Sequence, residues 1–296
     1  MPLSLVGSEM CIRDSCISMS QAYKTTGIVL KSMPLGEADR LIIILSPEKG
    51  LIRAIAPSSR KNKSPLSGRS ELFMVNQFLI IKGHSLDKIA QAETLQFYPG
   101  LRKELVKLAA AQYLSELILK LSIDEQPQEE LYELLNEHLR RLEKMSLAEN
   151  LYGYLAQAIF HFLIVTGIGP QIYQCCLTQE KLTPNFKNPD WQVGFSHEMG
   201  GLINLNSLAY TNKALTVFSV PLINYKLQAT DLVLLQNLNQ SYLPHAGKLL
   251  PSNVLSQDFI VPWQKIEHLL RDYTQYQLGC SFQSVVLIDS LPNLEF

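Results

Sequence analysis

The sequence predicts an α+β protein of several domains, in which a small five-stranded barrel at the N-terminal end is followed by an α-helical domain. Three observations support this prediction. The length of 296 residues is enough for two or three compact domains. Residues 23–98 contain five short runs rich in β-branched and aromatic residues, separated by turn formers. From Pro99 and Gly100 onwards, apolar residues recur at helical spacing instead.

The five strands are predicted at residues 23–33, 39–46, 50–56, 73–82 and 89–98. The breaks between them are rich in turn formers: Pro34 and Gly36, Pro47 and Gly50, a long polar loop at 57–70, and Gly83 with its two polar neighbours. Five short strands in one module are typical of the OB-fold. Residues 19–98 are therefore predicted to form an OB-fold barrel.

Helices are predicted next, over residues 99–170. Their apolar stripes are interpreted as core rather than as a groove for a partner. The stripe residues are Leu101, Leu105, Leu108, Leu114, Leu117, Ile118 and Leu121, then Leu131, Leu134, Leu135, Leu142 and Met145, then Leu151, Leu155, Ala158, Phe162 and Val165. Helical patterns return around 229–243 and 263–278, so residues 207–296 are predicted to complete the helical domain after an irregular insert at 171–206.

Residues 1–18 are set apart from the folded chain. The run SLVGSEMCIRDS has no charged segment before a long apolar one, so it is not a signal peptide. It resembles the translated end of a sequencing-library adapter, and we expect Met19 to be the natural start. A disordered leader is the alternative.

Composition and charge place constraints on function. Apolar residues are 47% and charged residues 18% of the chain, as in a folded protein. No apolar run reaches the roughly 18 residues of a membrane span, so no membrane partner is expected. Five irregularly spaced cysteines do not suggest a disulfide framework, and a cytoplasmic location is predicted.

Charge is distributed unevenly along the chain. Residues 23–98 carry 11 lysines and arginines against 6 aspartates and glutamates, a balance of +5, whereas residues 99–296 carry 14 against 19, a balance of −5. The basic module is thus predicted to meet an anion, and the acidic remainder is not.

The polar loop at 57–70 is the strongest candidate for a functional site. It contains Arg60, Lys61, Lys63 and Arg69, and cations of this kind attract phosphates from a distance. The hydroxyls that would donate to the phosphates are Ser58, Ser59, Ser64, Ser67 and Ser70. An ordinary solvated loop is the alternative interpretation.

Four more cations, Lys24, Lys31, Arg40 and Arg53, lie on the neighbouring predicted strands and extend the candidate nucleic-acid-binding patch. Single-stranded nucleic acid also requires aromatic platforms for its bases. Tyr23, Phe73 and Phe78 are the candidates, and each is interpreted as core.

Neither catalysis nor metal binding is predicted. Cys175 and Cys176 lie near His197 in sequence, but there is no CxxC pair and adjacent cysteines seldom share one ion. The acidic residues around Asp124 form a solvated linker, the histidines are scattered, and no GxSxG, HExxH or phosphate-loop motif occurs. We expect no catalytic residue, no metal ligand and no cofactor.

The segments GIVLKS, GEADRLI and APSSRK resemble the opening of the bacterial RecO family of recombination mediators, and LLRDYTQYQLG at 269–279 is similar to the C-terminal helix of that family. The resemblance is dense over residues 23–121 and thinner in the middle. It implies a protein that is not an enzyme and that binds single-stranded and double-stranded DNA. Such a protein anneals strands coated by single-stranded DNA-binding protein and helps RecR to load RecA at gaps. The DNA-contacting positions implied by the family are Arg40, Arg60, Lys61, Lys63 and Arg69.

Many members of the family carry a four-cysteine zinc module in the helical part, and this chain departs from that pattern. Of the four ligand positions only Cys175 is retained, since the others are Thr178, Asn204 and Ser207. The insert is therefore predicted to be a degenerate zinc-finger-like segment held by packing and hydrogen bonds.

Three further interpretations stay open at the level of sequence. One is an OB-fold RNA-binding protein of translation or RNA processing. Another is a hydrolase assembled from scattered histidines and aspartates. A third concerns Arg140 and Arg141, which could receive an acidic protein tail, although a solvated helix face is the favoured interpretation.

Overall fold

The computed structural model describes residues 21–124, 126–146, 150–206, 221–243 and 260–290. The predicted leader at 1–18 and the compared position Ser207 lie outside these described residues. The barrel strands are β1 (Ala22–Leu35), β2 (Asp39–Ser46), β3 (Gly50–Ala56), β4 (Val75–Ile81) and β5 (Asp87–Gln96). All five predicted strands are confirmed, and the ends of three of them differ by one or two residues.

The barrel closes in the order β1-β2-β3-β5-β4, with β4 pairing back to β1. Its interior is filled by alternate side chains from every strand, including Ile42, Ile44, Phe78 and Ile80, each at most 1% exposed. The interior of the predicted OB-fold barrel is thus a packed core.

Strand β1 is long because it pairs with strands on both sides. Residues 22–28 pair with β4, residues 28–35 pair with β2, and the register shifts between Val29 and Lys31. Gly27 lies near this crossing, where an added Cβ atom would come within 2.3 Å of the Ile44 side chain. A glycine is therefore required where the backbone of β1 approaches β2 so closely.

The helices of the described residues are α1 (Leu105–Leu121), α2 (Glu129–Lys144), α3 (Leu151–Val165), α4 (Ala229–Gln236), α5 (Ile260–Leu278) and α6 (Val285–Ser290). The predicted stripes are mostly core, as Leu114, Leu117 and Ile118 illustrate, but Leu105 is 44% exposed. The pattern predicted to run to 243 gives a shorter helix, α4, which ends at Gln236.

The barrel and the helices share one hydrophobic core. The outward side chains of Leu30, Leu45, Leu51 and Val75 are at most 5% exposed and belong to the same buried cluster as the helices. At a second point of contact the Tyr98 hydroxyl donates to Asn136 Oδ1 of α2 at 2.8 Å.

The linker between α1 and α2 closes against the β2–β3 turn. Gly50 has φ +63°, and an added Cβ atom would lie 2.4 Å from the carbonyl oxygen of Gln126 and 2.6 Å from that of Ile123. Arg53 pairs with Asp124 of the same linker at 2.8 Å. The linker is thus fixed to the barrel by close backbone contact as well as by charge.

A small sheet lies between the helical segments. Strands β6 (Gln192–Ser196), β7 (Gly201–Ile203) and β8 (Tyr225–Gln228) pair antiparallel in the order β7-β6-β8. Its centre is Phe195, which is 0% exposed, and the Gln171 N–H donates to the Gly200 carbonyl at 2.9 Å. Packing and hydrogen bonds hold this framework, as predicted, but a zinc-finger-like insert is not confirmed. None of these three strands was predicted, since an irregular insert was expected at 171–206 and no strand was expected after it.

A buried arginine of α5 binds a buried glutamate of the same helix and an aspartate of α6. Arg271 of α5 donates to Glu267 at 3.1 and 2.5 Å and to Asp289 of α6 at 3.0 and 2.8 Å. Glu267 is 0% exposed. Burial raises the pKa of its carboxyl, and the adjacent guanidinium opposes that shift only in part.

Candidate nucleic-acid interface

The cationic loop, residues 57–74 between β3 and β4, is a chain of hydrogen-bonded turns. The Lys61 N–H donates to the Ser58 carbonyl at 3.0 Å, the Ser64 N–H to the Lys61 carbonyl at 3.0 Å, and the Ser67 N–H to the Ser64 carbonyl at 3.1 Å. Because each turn fixes the next, the loop presents its cations on an ordered backbone.

The cationic loop is also fixed to the barrel, by one buried side chain and by hydrogen bonds to the turn between β1 and β2. The Leu66 side chain is 7% exposed and belongs to the core inside the barrel. The Arg60 N–H donates to the Ala38 carbonyl at 2.9 Å, and the Ser58 N–H donates to Asp39 Oδ1 at 2.7 Å. The turn between β1 and β2 and the cationic loop therefore form one continuous surface.

Two of the eight predicted cations, Arg40 and Arg53, hold separate segments of the protein together, and of these two only Arg53 pairs with a carboxylate. The half-buried Arg40 donates from Nη1 to the Ser67 carbonyl at 3.3 Å and to Ser70 Oγ at 3.2 Å, so it anchors the cationic loop. Arg53 is neutralised by Asp124, and it lies near the other end of the barrel.

The remaining six carry their charge without a carboxylate partner among the described residues. Arg60 donates to the Gly36 carbonyl at 2.7 Å and Arg69 to the Pro65 carbonyl at 3.1 Å, and each guanidinium keeps further donors. The exposed lysines of this set are Lys24, Lys31, Lys61 and Lys63. These cations are available to an anion.

A groove of about 550 Å³ runs beside the cationic loop. It opens where β3 leaves β5, because the two strands pair only at Ala54–Asp87 and Ile55–Lys88. Lys24 and Arg69 both line this groove, together with polar groups from the loop and from β4 and β5: Ser58, Ser64, Gln77, Gln91 and Glu93. Lys31 is not among its lining residues; it pairs with Ile43 of β2, which pairs in turn with Arg53.

A shallower depression of about 470 Å³ lies on the other side of Arg69. Its lining includes Pro65, Glu71, Met74 and Thr94. Since Arg69 lines both hollows, it stands where an extended chain would pass from one to the other.

Two of the five predicted hydroxyl donors are directed into the protein. Ser59 and Ser70 are buried, and their hydroxyls donate to the carbonyls of Ala56 at 2.8 Å and Ser67 at 3.0 Å. Ser58 and Ser64 line the groove instead.

Phe73 and Phe78 are core, as predicted, and are 2% and 1% exposed. Tyr23 is only half-buried at the edge of the barrel core, with Lys49 Nζ 4.7 Å from the centre of its ring. The Tyr23 hydroxyl donates to Asp87 at 2.6 Å.

The sequence interpretation missed a further aromatic residue. Phe97, two positions after an exposed Leu95, is 56% exposed at the end of β5. The sequence predicts a strand at 89–98, but it does not show which face of that strand the rest of the protein buries.

The four positions of the family's zinc pattern do not fit a zinc ion in this chain. Among the described residues no group of three or more His, Cys, Asp or Glu side chains could hold a metal. Cys175 Sγ accepts a hydrogen bond from the Asn204 N–H at 3.2 Å. Burial acts to raise the pKa of this thiol, but the N–H groups of Asn204 and Thr178 and the Thr178 hydroxyl outweigh burial and lower it. Backbone donors thus surround the sulfur where a metal pattern would place further ligands.

Three of the described histidines, His138, His161 and His197, have contacts that indicate a structural role. His138 and His161 of α2 and α3 lie 3.2 Å apart, Nε2 to Nδ1, and His161 Nε2 lies 2.8 Å from the Leu238 carbonyl. Burial lowers the pKa of both rings. The ring of His197 packs among Phe195 and tyrosines, and burial lowers its pKa as well.

Arg140 and Arg141 are paired on their own helix. Both donate to Glu137, at 2.7 and 2.9 Å, and Arg141 also lies over the ring of Tyr242. These contacts favour the interpretation of an ordinary solvated helix face over that of a binding site for an acidic tail.

No helix in the described part of the chain is long and apolar enough to cross a membrane.

Comparison with known proteins matches both parts of the chain. The family model described as Recombination protein O N terminal matches residues 19–98, and the model described as Recombination protein O C terminal matches residues 102–250. The protein named DNA repair protein RecO from Gloeothece citriformis is 53% identical over 283 residues, which cover 94% of this chain and 100% of that protein. The proteins of the same name from Synechocystis and Nostoc are 50% and 45% identical, over 94% and 92% of this chain and 100% and 97% of their own lengths.

Proposed function

The chain belongs to the RecO family of DNA repair and recombination proteins, and from this premise we propose that its barrel binds single-stranded DNA through the phosphate backbone. The observation that carries the proposal is the cationic loop. Arg60, Lys61, Lys63 and Arg69 have no carboxylate partner among the described residues, and they lie on an ordered loop beside a groove with a mixed polar and apolar lining.

Binding of this kind does not depend on base sequence. Cations and loop amides attract phosphates, and the released counterions supply the free energy of association. Lys24 at the groove and Lys31 on β1 add to the positive electrostatic potential of the barrel. Arg40 instead holds the cationic loop in place, and Arg53 pairs with the linker between α1 and α2.

Annealing follows from the same charge distribution. Two complementary strands repel each other through their phosphates, and this repulsion falls when both lie against an excess of positive charge. The basic module has a balance of +5, so it can reduce the repulsion while the bases stay free to pair.

The acidic helical part is assigned to proteins rather than to DNA. Its charge balance of −5 repels phosphates, which argues against DNA as its ligand. We assign single-stranded DNA-binding protein and RecR to this part as partners, and the loading of RecA follows from their binding. This mediator acts without catalysis, and no nuclease activity is expected with divalent metal ions.

The test is annealing of complementary oligonucleotides that have been coated with single-stranded DNA-binding protein. The full-length protein should accelerate duplex formation, and the variant Arg60→Gln/Lys61→Gln/Lys63→Gln/Arg69→Gln should lose most of that acceleration.

The matched control removes the same number of charges from the other part of the chain. It replaces four exposed lysines by glutamine: Lys120, Lys181, Lys187 and Lys226. Equal losses in the two variants would mean that net charge, and not the cationic loop, governs annealing. Tighter binding of structured RNA than of single-stranded DNA would contradict the assignment to DNA.

A further inference from the structure

Strand β5 and the residue that follows it carry a row of four exposed side chains at every second position: Gln91, Glu93, Leu95 and Phe97. The strand ends at Gln96, and its register on β4 shifts between Thr94 and Gln96, so Leu95 lies at a β-bulge. The first two line the groove. The last two are apolar and are 55% and 56% exposed. The row therefore changes from polar to apolar beyond the groove.

Hydrogen bonds connect strand β5 to the cationic loop through Thr94, which lies between two residues of the row. Asn76 Nδ2 donates to the Arg69 carbonyl at 2.9 Å, and Thr94 Oγ1 donates to Asn76 Oδ1 at 3.0 Å. Thr94 and Arg69 line the same shallow depression. Phe97 follows Thr94 by three residues, a distance of about 10 Å along a strand.

We propose that Leu95 and Phe97 form a base-stacking platform for the single strand whose phosphates lie against the cationic loop. This inference rests on the proposed function. A groove that binds a single strand without reading its sequence combines cations for the backbone with exposed aromatic rings for the bases. The loop cations supply the first component, and the exposed ring of Phe97, three residues after a residue that lines the depression beside Arg69, supplies the second.

The charges of the groove set the orientation of the strand. The loop wall contributes Arg69 and the β5 wall contributes Glu93. Phosphates are attracted to the first and repelled by the second, so the bases are directed toward β5. Leu95 and Phe97 follow Glu93 along the chain, and the proposal places the bases against them.

The experiment compares two probes, an oligothymidylate and an oligonucleotide of equal length made of abasic sites, which keeps the phosphates and lacks the bases. The variant Phe97→Ser should bind oligothymidylate about 5- to 140-fold more weakly, because base stacking contributes about 1–3 kcal/mol. Its affinity for the abasic probe and its dependence on salt should match those of the wild type.

Two further variants separate stacking from a general loss of structure. Phe97→Trp should keep the affinity of the wild type, and its added fluorescence should be quenched by oligothymidylate beyond the change shown by the two natural tryptophans. Tyr276→Ser removes an aromatic ring of nearly equal exposure, 55%, from α5, and it should not affect binding.

The proposal is wrong if Phe97→Ser binds oligothymidylate as tightly as the wild type does. It is also wrong if the substitution weakens binding of the oligothymidylate and of the abasic probe equally. Loss of binding to a protein partner with unchanged DNA affinity would also overturn it, since the patch would then be a protein-docking surface. Failure of the proposed function is a different result, because the wild type would then bind neither probe.

Discussion

The salt dependence of DNA binding tests the assignment of the cationic loop directly. The perturbation is the replacement of Arg60, Lys61, Lys63 and Arg69 by glutamine. None of the four has a carboxylate partner in the described part of the chain, so each is free to displace a counterion from DNA. The hydrogen bonds within the loop backbone do not use these side chains and should persist.

The expected magnitude follows from the number of neutralised phosphates. Each contact with single-stranded DNA contributes about 0.7 to the slope of log affinity against log salt, so four contacts should reduce the slope by about 2.8. Between 50 and 200 mM salt, the wild type should therefore lose roughly 50-fold more affinity than the variant. Fluorescence anisotropy of a labelled oligothymidylate across this range measures both slopes.

Arg53→Gln is the internal comparison. Arg53 is already paired with Asp124 at 2.8 Å, so its replacement should leave the slope unchanged and reduce stability by about 1 kcal/mol or less. The reasoning is refuted if the fourfold variant keeps the wild-type slope, or if Arg53→Gln alone lowers it as much as a loop cation does.

Three further predictions concern stability and composition. Arg271→Met leaves a buried carboxylate unpaired and should lower the free energy of unfolding by about 3–5 kcal/mol. The surface change Arg140→Met should lower it by only about 0.2–1 kcal/mol; similar urea midpoints for the two would contradict the role of the buried pair. His138 and His161 have lowered pKa values, so the native state resists protonation and the free energy of unfolding should fall as pH drops below about 6.5; equal urea midpoints at pH 7.5 and 5.5 would disagree. Elemental analysis of chelator-treated protein should find no stoichiometric zinc, and one equivalent would show that Cys175 has other ligands.

The barrel could be predicted from sequence because its signals are local. Turn formers bound each strand, and the apolar runs between them are too short for helices. Strands β6, β7 and β8 were missed because each is only three to five residues long and forms by pairing within the small sheet. Helix α4 was predicted too long, since the apolar spacing continues to 243 while the helix ends at Gln236.

The candidate site could be predicted in composition but not in arrangement. The sequence identified Arg40 and Arg53 as cations, but their partners lie 27 to 71 residues away along the chain and depend on the closed barrel. Phe97 was hidden for a related reason. Alternation within a strand separates two faces, and only tertiary packing decides which of them is covered.

Because the barrel and the helices share one hydrophobic core, we expect that the barrel cannot be produced as a stable separate fragment. A fragment ending near residue 98 would leave Leu30, Leu45, Leu51 and Val75 facing water, and apolar patches of that kind cause self-association. Because this core is shared, we expect no hinge between the two parts, and DNA bound as proposed at the cationic loop would keep a fixed distance from a protein bound to the helices.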